Sequence, residues 1–315
     1  MSNQKKFLIR VFITFICVIF LSSTSINCSI NLNSIKNIED NPIPPEIESD
    51  DFSSKTPSNY DALTNFKIAR YYLLSSKSFT SESTGYIKAS GFSQSIKGSK
   101  KYDGENYFSE AISYSIFKQL ANRIFYNGND ITILQGTHIS KDTASWNGKS
   151  EIISKDEYRK RYGGLPTAFI RHIVDSNTIL SKHIEKKDNN LYTLSFSLNP
   201  LLATKAYVNE IMTSSGSVET PIFNSIIMYV TIDNNWIIQE MTIVENYDIK
   251  LSFLPGTQNA TSKITETFSN INGTVILSTD ELLKGWLYHP FTIELLNLLY
   301  FIIIKYIIIW IIFSF

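Results

Sequence analysis

The chain has 315 residues, and its 29 lysines and arginines balance its 29 aspartates and glutamates, so the formal net charge is zero at pH 7. Charged residues make up 18% of the chain and hydrophobic residues 43%, which is less charged than an average soluble domain at about 25%. The balanced charge excludes the basic surface of a nucleic-acid-binding protein, and the 13% of aromatic residues excludes disorder throughout the chain.

Residues 1–28 are predicted to be an export signal. Lys5, Lys6 and Arg10 precede an uncharged apolar run at residues 11–21. This run is shorter than the about 20 residues that a membrane helix needs, which favours a secretory signal. An uncleaved membrane anchor is the alternative interpretation.

Cys28 is the predicted lipid-attachment residue. The stretch Ser25-Ile26-Asn27-Cys28 stands where bacterial lipoproteins carry a lipobox, although Ile26 and Asn27 depart from that motif. Cleavage after the preceding serines, which leaves Cys28 as an incidental free thiol, is the alternative. Because Cys17 lies inside the apolar run, the mature chain has one cysteine at most and no internal disulfide.

Residues 29–58 are predicted to form a Pro-rich acidic tether. They hold Pro42, Pro44, Pro45 and Pro57, which are four of the nine prolines of the chain, and their acidic residues outnumber their lysines. Such a segment cannot bury enough apolar surface to fold, so it is expected to stay extended. It suits a spacer that holds a domain away from a membrane, or simply an unstructured mature N-terminus.

Residues 60–282 are predicted to form a single α+β domain. The Asn127-Gly128 pair between two apolar runs is the strongest hairpin signal. Ser154 begins a predicted helix that ends at Gly163, and Pro166 opens a second one. The predicted strands are residues 85–96, 102–117, 120–126, 131–135, 191–198, 226–232, 236–251, 262–268 and 274–277. The remaining predicted helices are residues 60–76 and 199–212, and the first predicted hairpin turn is residues 97–100.

The order of these elements predicts the architecture. Neighbouring strands joined by hairpins pair antiparallel, whereas a parallel sheet would alternate strands and helices throughout. We therefore predict a large, curved, mostly antiparallel sheet with three or four helices over one face.

Glu110 and Glu245 are candidate ligand-binding residues. Each stands in phase with the apolar side of its predicted strand, where a carboxylate must be paired, hydrated or protonated. A polar spot that fixes the head group of a ligand accounts for this placement. An internal salt bridge with Arg123 or Arg171, or a bulge that turns the side chain outward, accounts for it as well.

Trp146, which precedes Asn147-Gly148, is the third candidate ligand-binding residue, at the mouth of a cavity. The alternative is that Trp146, like Trp236 beside another turn, packs at the end of a hairpin.

The sequence contains no pattern of residues typical of a catalytic or metal site. Its four histidines lack the spacing of zinc ligands, and the nucleophile-elbow, phosphate-loop and zinc-protease motifs are absent. We therefore expect no metal, no cofactor and no enzymatic activity, with a hydrolase built from scattered residues as the alternative.

Residues 295–315 are predicted to be a transmembrane-like tail. They are apolar apart from Lys305, and their length fits a bilayer span. A central lysine costs roughly 2.5 to 3.5 kcal/mol on insertion scales, which the many isoleucines offset. The competing interpretation is that this tail is not a selected element.

Taken together, these features resemble the envelope lipoproteins of the LolA/LolB and LppX type. An export signal with a lipid-attachment cysteine precedes an antiparallel sheet whose final strands carry Ile232-Asp233-Asn234-Asn235-Trp236 and Glu245-Asn246-Tyr247. The resemblance implies a half-barrel sheet and a helical lid that enclose an apolar cavity for a lipid-like ligand. It rests on architecture, so no site residue is carried over.

The sequence therefore predicts an exported, membrane-tethered, non-enzymatic protein of a bacterial cell envelope surface. Its predicted partners are the membrane and a lipid or other apolar ligand held between sheet and helices, and its oligomeric state is not predicted. The alternative is a structural or adhesive ectodomain with a solid core. A cavity lined by apolar residues with one or two carboxylates distinguishes the first function from the second.

Overall fold

The computed structural model describes residues 43–277, apart from residues 50, 90, 105, 117, 128–129, 169, 206, 209–218 and 251–255. The predicted export signal with Cys28, the first part of the tether and the tail at residues 295–315 lie outside the described residues. Among the residues that are described, no helix has the length and apolar character needed to cross a membrane.

The described residues form one open antiparallel sheet of eleven strands, in the order β6-β5-β4-β3-β2-β1-β11-β10-β9-β8-β7. Two meanders, β1 to β6 and β7 to β11, meet in the middle, where β1 pairs with β11. The strands are β1 (Phe79–Ala89), β2 (Phe92–Tyr102), β3 (Tyr107–Tyr114), β4 (Gln119–Tyr126), β5 (Asp130–Gln135), β6 (Ser150–Ser154), β7 (Ile179–Lys186), β8 (Tyr192–Leu198), β9 (Ile222–Ile232), β10 (Ile238–Ile249) and β11 (Gln258–Ser269). The predicted antiparallel sheet is confirmed.

Three α-helices lie wholly among the described residues: α1 (Ala62–Leu74), α2 (Lys155–Tyr162) and α3 (Pro200–Ala203). Asp61 caps α1 by accepting a hydrogen bond from the Thr64 amide, and Ser154 caps α2 in the same way through the Glu157 amide. Gly163 ends α2 in the left-handed region, at φ +77°, as its position predicts.

The second predicted helix, which was to open at Pro166, does not form in the described part of residues 166–175. Leu165 packs in one apolar cluster with Ile131 and Ile133, whereas Ile170 belongs to a different and larger cluster. A helix advances only about 1.5 Å per residue, whereas an extended chain covers about 3.3 Å per residue. Extended backbone therefore allows Leu165 and Ile170 to reach their two separate clusters more easily than a helix would. The helix predicted at residues 199–212 is interrupted, because α3 ends at Ala203 and Tyr207 and Val208 are again helical. Residues 206 and 209–212 of that prediction lie outside the described residues.

The first predicted turn, at residues 97–100, is wrong, because these residues lie inside β2. The chain reverses between Ala89 and Phe92 instead, where Gly91 has a φ of +85°. At Gly98 the close approach of neighbouring strands requires glycine, since a Cβ atom there would lie 2.7 Å from Ser83 Oγ and 3.0 Å from the Glu110 carbonyl oxygen. This glycine therefore permits strand packing and does not mark a turn.

Three other features of the strand pattern also differ from the prediction. β6, which pairs with β5, was not predicted. β7 was not predicted, because it is an edge strand with mostly exposed residues and shows no apolar alternation. Residues 274–277, by contrast, form no strand. The predicted alternation in β8 is confirmed, with Tyr192, Leu194, Phe196 and Leu198 all buried.

One face of the sheet, here called the covered face, carries the main core. α1 lies on it, and the Phe66 ring of α1 meets the Phe196 ring of β8 edge-on at 5.6 Å between centroids. Phe196 pairs with Met228 of β9, which in turn pairs with Ile243 of β10, so these side chains share the covered face.

The described part of the predicted tether packs against the domain. Residues Pro45–Glu48, Phe52–Ser54 and Pro57–Asn59 form 3-10 turns, and Ile47 and Phe52 contact the main core. The Phe52 ring stacks on the ring of Trp236 at 5.0 Å. Residues before position 60 therefore belong to the packed domain. The composition of this segment does not predict the contact, because it does not show that Trp236 offers a flat apolar surface to Phe52.

Asn65 of α1 joins this N-terminal segment to the sheet. Its side chain is fully buried, and Nδ2 donates to the carbonyl oxygens of Pro57, Tyr60 and Asp61 at 2.9 to 3.0 Å. Its Oδ1 accepts a 2.6 Å hydrogen bond from Nε1 of Trp236. Trp236 thus packs at the end of its hairpin, where Phe52 covers its ring and Asn65 accepts a hydrogen bond from its indole N–H.

We predict that Asn65→Ala lowers the free energy of unfolding by about 2 to 4 kcal/mol, because it leaves the buried Trp236 indole N–H and the Pro57 carbonyl oxygen without this partner. Urea unfolding followed by Trp fluorescence measures this loss. Asn224→Ala, at an exposed asparagine of β9, is the matched control and is expected to change stability by less than about 0.5 kcal/mol. Equal losses in both variants would contradict the role of Asn65.

Candidate functional site

The strand register places Glu110 and Glu245 on opposite faces of the sheet. Through β11 and β1, Glu245 shares the covered face with Gln94 of β2. Glu110, on β3, pairs with Ser99, which lies on β2 like Gln94. Because Gln94 and Ser99 are an odd number of residues apart, their side chains point to opposite faces. The two candidates therefore cannot form one site.

Glu110 and Trp146 meet around Arg123, away from the covered face. Arg123 Nε and Nη2 each lie 2.7 Å from Oε2 of Glu110. The guanidinium carbon of Arg123 lies 4.2 Å from the centroid of the Trp146 ring. The ion pair with Arg123 is the alternative that the sequence left open for Glu110, and the ring of Trp146 packs against the guanidinium group of the same arginine.

Glu245 lies inside the protein with 2% of its surface exposed. Ser262 Oγ donates a 2.6 Å hydrogen bond to one carboxylate oxygen, and His172 Nε2 lies 2.8 Å from the other. Arg123, one of the partners expected from the sequence, lies on the opposite face of the sheet. His172 was missed because a lone histidine in a segment predicted to be helical carries no signal of a distant partner.

Aromatic rings surround this pair. The ring of His172 lies 4.7 Å from that of Tyr207, and Phe223 links Tyr207 to Tyr247 with centroid distances of 6.0 and 5.2 Å. Burial, aided by the nearby carboxyl group of Glu245, raises the pKa of Tyr247 well above its ordinary value. The surroundings of Glu245 are therefore mainly apolar, and its hydrogen bonds are correspondingly important.

A second buried carboxylate, Glu266 of β11, lies on the same covered face. Ser81 Oγ donates a 2.5 Å hydrogen bond to its Oε1, and Lys100 Nζ lies 2.7 Å from the same atom. Burial opposes the charge on Lys100, but the charge of Glu266, aided by Tyr107, raises the pKa of the amine above its ordinary value. Sequence reasoning missed Glu266, although it stands in phase with Ile264 and Phe268.

The two carboxylates bound an apolar strip of the covered face. Glu266 pairs with Met241, which lies four residues from Glu245 along β10, or about 13 Å at about 3.3 Å per residue. Between them, Ile243 pairs with Ile264, and that row continues to Gly85 of β1 and Ile96 of β2. The row of Glu266 continues to the small residues Ser83, Gly98 and Ala111. We call this part of the covered face the trough, and it consists of Ser83, Gly85, Ile96, Gly98, Ala111, Ile243 and Ile264.

The trough is less well covered than the rest of this face. Ala111 is exposed, and the other residues of the trough are only partly buried. On β9, by contrast, the covered-face residues Ile226, Met228 and Val230 are at most 1% exposed. The covering segments therefore exclude solvent from the β8–β9 side but leave the middle of the sheet partly open.

Residues 163–168 and 170–178, here called the strap, connect α2 to β7 across the covered face. The strap brings His172 to Glu245, and the Ile173 amide donates a 2.9 Å hydrogen bond to the Ala203 carbonyl oxygen. Gly163, in the left-handed region, begins it.

A small cleft separates the strap from the sheet beside Glu266. Pro166 and Ala168 of the strap face Phe79 and Phe268 of the sheet, and Lys100 and Glu266 form the polar end of the lining. The space holds about one water molecule. The Lys100 side chain keeps 30% of its surface exposed, so the cleft is in contact with solvent at this end. Among the described residues, no three histidine, cysteine or acidic side chains converge as metal ligands would.

Comparisons with known proteins give weak likenesses. No protein-family model matches the sequence, and no curated protein is significantly similar to it. A LolA superfamily protein from Nitrosomonas europaea is similar over 69% of this chain and 96% of its own, at 9% identity and a TM-score of 0.23. A DUF1329 family protein from Desulfovibrio piger covers 70% of this chain and 96% of its own, at 13% identity and a TM-score of 0.24.

A porin-like protein from Bacteroides uniformis is a third similar structure, over 60% of this chain and 96% of its own, at 10% identity and a TM-score of 0.21. At such values the resemblance to LolA-type proteins is only a weak one, and it identifies neither a family nor a ligand.

We predict that Glu245→Leu lowers the free energy of unfolding by about 3 kcal/mol, because it leaves His172 and Ser262 without their buried partner. The double variant with His172→Phe is expected to lose less than the sum of the two single variants, by about 1 kcal/mol or more. Urea unfolding of the four proteins measures this coupling. Glu240→Leu, at an exposed position of the same strand, is the control, and additive losses at His172 and Glu245 would contradict the pairing.

Proposed function

We propose that this protein binds an apolar or amphiphilic ligand, such as a lipid, in the trough of the covered face and beneath the strap. The observation that supports this most directly is the incomplete cover of an apolar strip between two buried carboxylates. A sheet face that only stabilises a fold is normally packed closed, whereas ligand sites are concave, mainly apolar and equipped with a few polar groups.

The small side chains of the trough supply the concave shape. Gly85 and Gly98 carry no side chain on the covered face, and Ala111 beside them extends the depression onto β3. An apolar chain lying across these strands would contact Ile96 and Ile264. Burial of that chain would contribute about 25 cal/mol for each Å² of apolar surface removed from water.

The two ends of the ligand site are polar. At the cleft, Lys100 and Glu266 can meet the head group of an amphiphile while Phe79 and Phe268 contact its apolar part. The cleft is nearly closed in this structure, so a ligand larger than water must displace the strap. The strap contains no regular helix or strand among its described residues, so its displacement breaks few backbone hydrogen bonds.

The narrow cleft favours a second candidate function, which is a structural or adhesive domain with a closed core. In that case the strap is a fixed part of the cover and the trough stays a shallow surface feature. The two functions differ in a single observable, which is saturable binding of an apolar molecule at the trough.

The proposal includes export and attachment to a membrane through Cys28, without enzymatic activity. Residues 1–28 support it by their basic start and apolar run. The intact mass of the mature chain tests it: cleavage before Cys28 with the added mass of a lipid is the expected result. Cleavage after the serines without added mass would contradict lipid attachment but not export.

We predict that the full chain binds the neutral apolar dye N-phenyl-1-naphthylamine saturably and that Ala111→Phe weakens this binding about tenfold, because the new ring fills the trough beside Gly98. A fluorescence titration measures the affinity. Ser93→Phe places the same side chain on an exposed position of the opposite face and is expected to leave the affinity unchanged. Absence of saturable binding to the wild-type chain would favour the closed-core function.

A further inference from the structure

His172 has two ring nitrogens, and the structure accounts for only one of them. Nε2 lies 2.8 Å from Oε1 of Glu245. Nδ1 is buried and has no hydrogen-bond partner within the part of the chain that is described. The side chain as a whole is 4% exposed, so bulk solvent does not supply the missing bond. A buried polar atom without a partner is rare in folded proteins and often marks a functional position.

The protonation of this pair decides what Nδ1 can do. A net charge buried among apolar groups is costly, so His172 and Glu245 are expected to be neutral as a unit. If both are ionised, the imidazolium carries a hydrogen on each nitrogen. If neither is ionised, the carboxyl group donates to Nε2 and the single ring hydrogen lies on Nδ1. In both arrangements Nδ1–H is a donor that lacks an acceptor.

The surroundings restrict the kind of acceptor. The Tyr207 ring lies 4.7 Å from the His172 ring, and Ile226 pairs with Glu245 across the covered face. An anionic head group would place a second negative charge close to the Glu245 carboxyl group. An uncharged oxygen with apolar neighbours, such as the carbonyl oxygen of an ester or ketone, meets both conditions.

We propose that the ligand of the covered face carries an uncharged carbonyl oxygen, as in an ester or a ketone, and that this oxygen accepts a hydrogen bond from His172 Nδ1. The inference rests on the proposed binding function and adds the chemical class of the ligand. Because the strap carries His172, movement of the strap opens the path to this nitrogen. The carbonyl group and the apolar chain then bind on the same face, with the chain lying over Ile243 and Ile264.

A competition experiment on the full chain tests this class of ligand. N-phenyl-1-naphthylamine is bound first and then displaced by 2-undecanone, by undecane or by decanoate. In the wild-type chain 2-undecanone is expected to bind more tightly than decanoate. In His172→Phe, which keeps a ring but removes both nitrogens, the affinity of 2-undecanone relative to undecane is expected to fall about tenfold, as the loss of one hydrogen bond implies.

His183→Phe is the matched control, because His183 is exposed on β7. It is expected to leave the relative affinity of ketone and alkane unchanged. An unchanged ratio in His172→Phe would overturn the carbonyl inference while the proposed binding function stands. If neither the dye nor any competitor binds the wild-type chain, the proposed function itself fails and takes the inference with it.

A second measurement uses the wild-type chain and needs no variant. Nitrogen-15 NMR of the wild-type imidazole is expected to show a hydrogen on Nδ1, and the resonance of that hydrogen is expected to move with 2-undecanone but not with undecane. An Nδ1 without hydrogen would overturn the inference. A protonated Nδ1 that does not respond to the ketone would overturn it too, because an ordered water would then be its partner.

Discussion

The covered face of an eleven-stranded sheet must be shielded from water, and this requirement governs the rest of the structure. Neighbouring strands lie about 4.8 Å apart, so the sheet is about 48 Å wide. The longest helix among the described residues, α1, has 13 residues and spans about 20 Å at 1.5 Å per residue. The helices of the described residues alone do not cover such a face. The N-terminal turns and the irregular strap extend the cover, and the trough is the part that they leave partly open.

Polar groups on the covered face follow from the same requirement. Glu245 and Glu266 are tolerated there only because each is supplied with partners from serines and from a cationic or potentially cationic side chain. His172 reaches Glu245 from the strap, so this hydrogen bond links the strap to the sheet. The placement of these two carboxylates at opposite sides of an apolar strip is what suggests a binding surface instead of a uniform core.

Local signals in the sequence predicted local structure well. The Asn127-Gly128 pair, the cap at Ser154 and the alternation in β8 act through neighbouring residues, and the hairpin, the helix and the strand that they predict are present. The strap was not predicted, because its backbone is decided by two distant anchors and not by its own periodicity. The pairing of His172 with Glu245 and the separation of Glu110 from Glu245 depend on register across several strands, which no single strand reveals.

The proposed function requires a ligand to bind on the trough and beneath the strap. Hydrogen exchange of the full chain, measured by mass spectrometry with and without saturating N-phenyl-1-naphthylamine, tests it most directly. We expect slower exchange in the strap on binding, because the displaced strap packs against the bound ligand and moves less, and unchanged exchange in β8 and β9. Protection that appears only outside the strap and the trough, or no change anywhere, would contradict it.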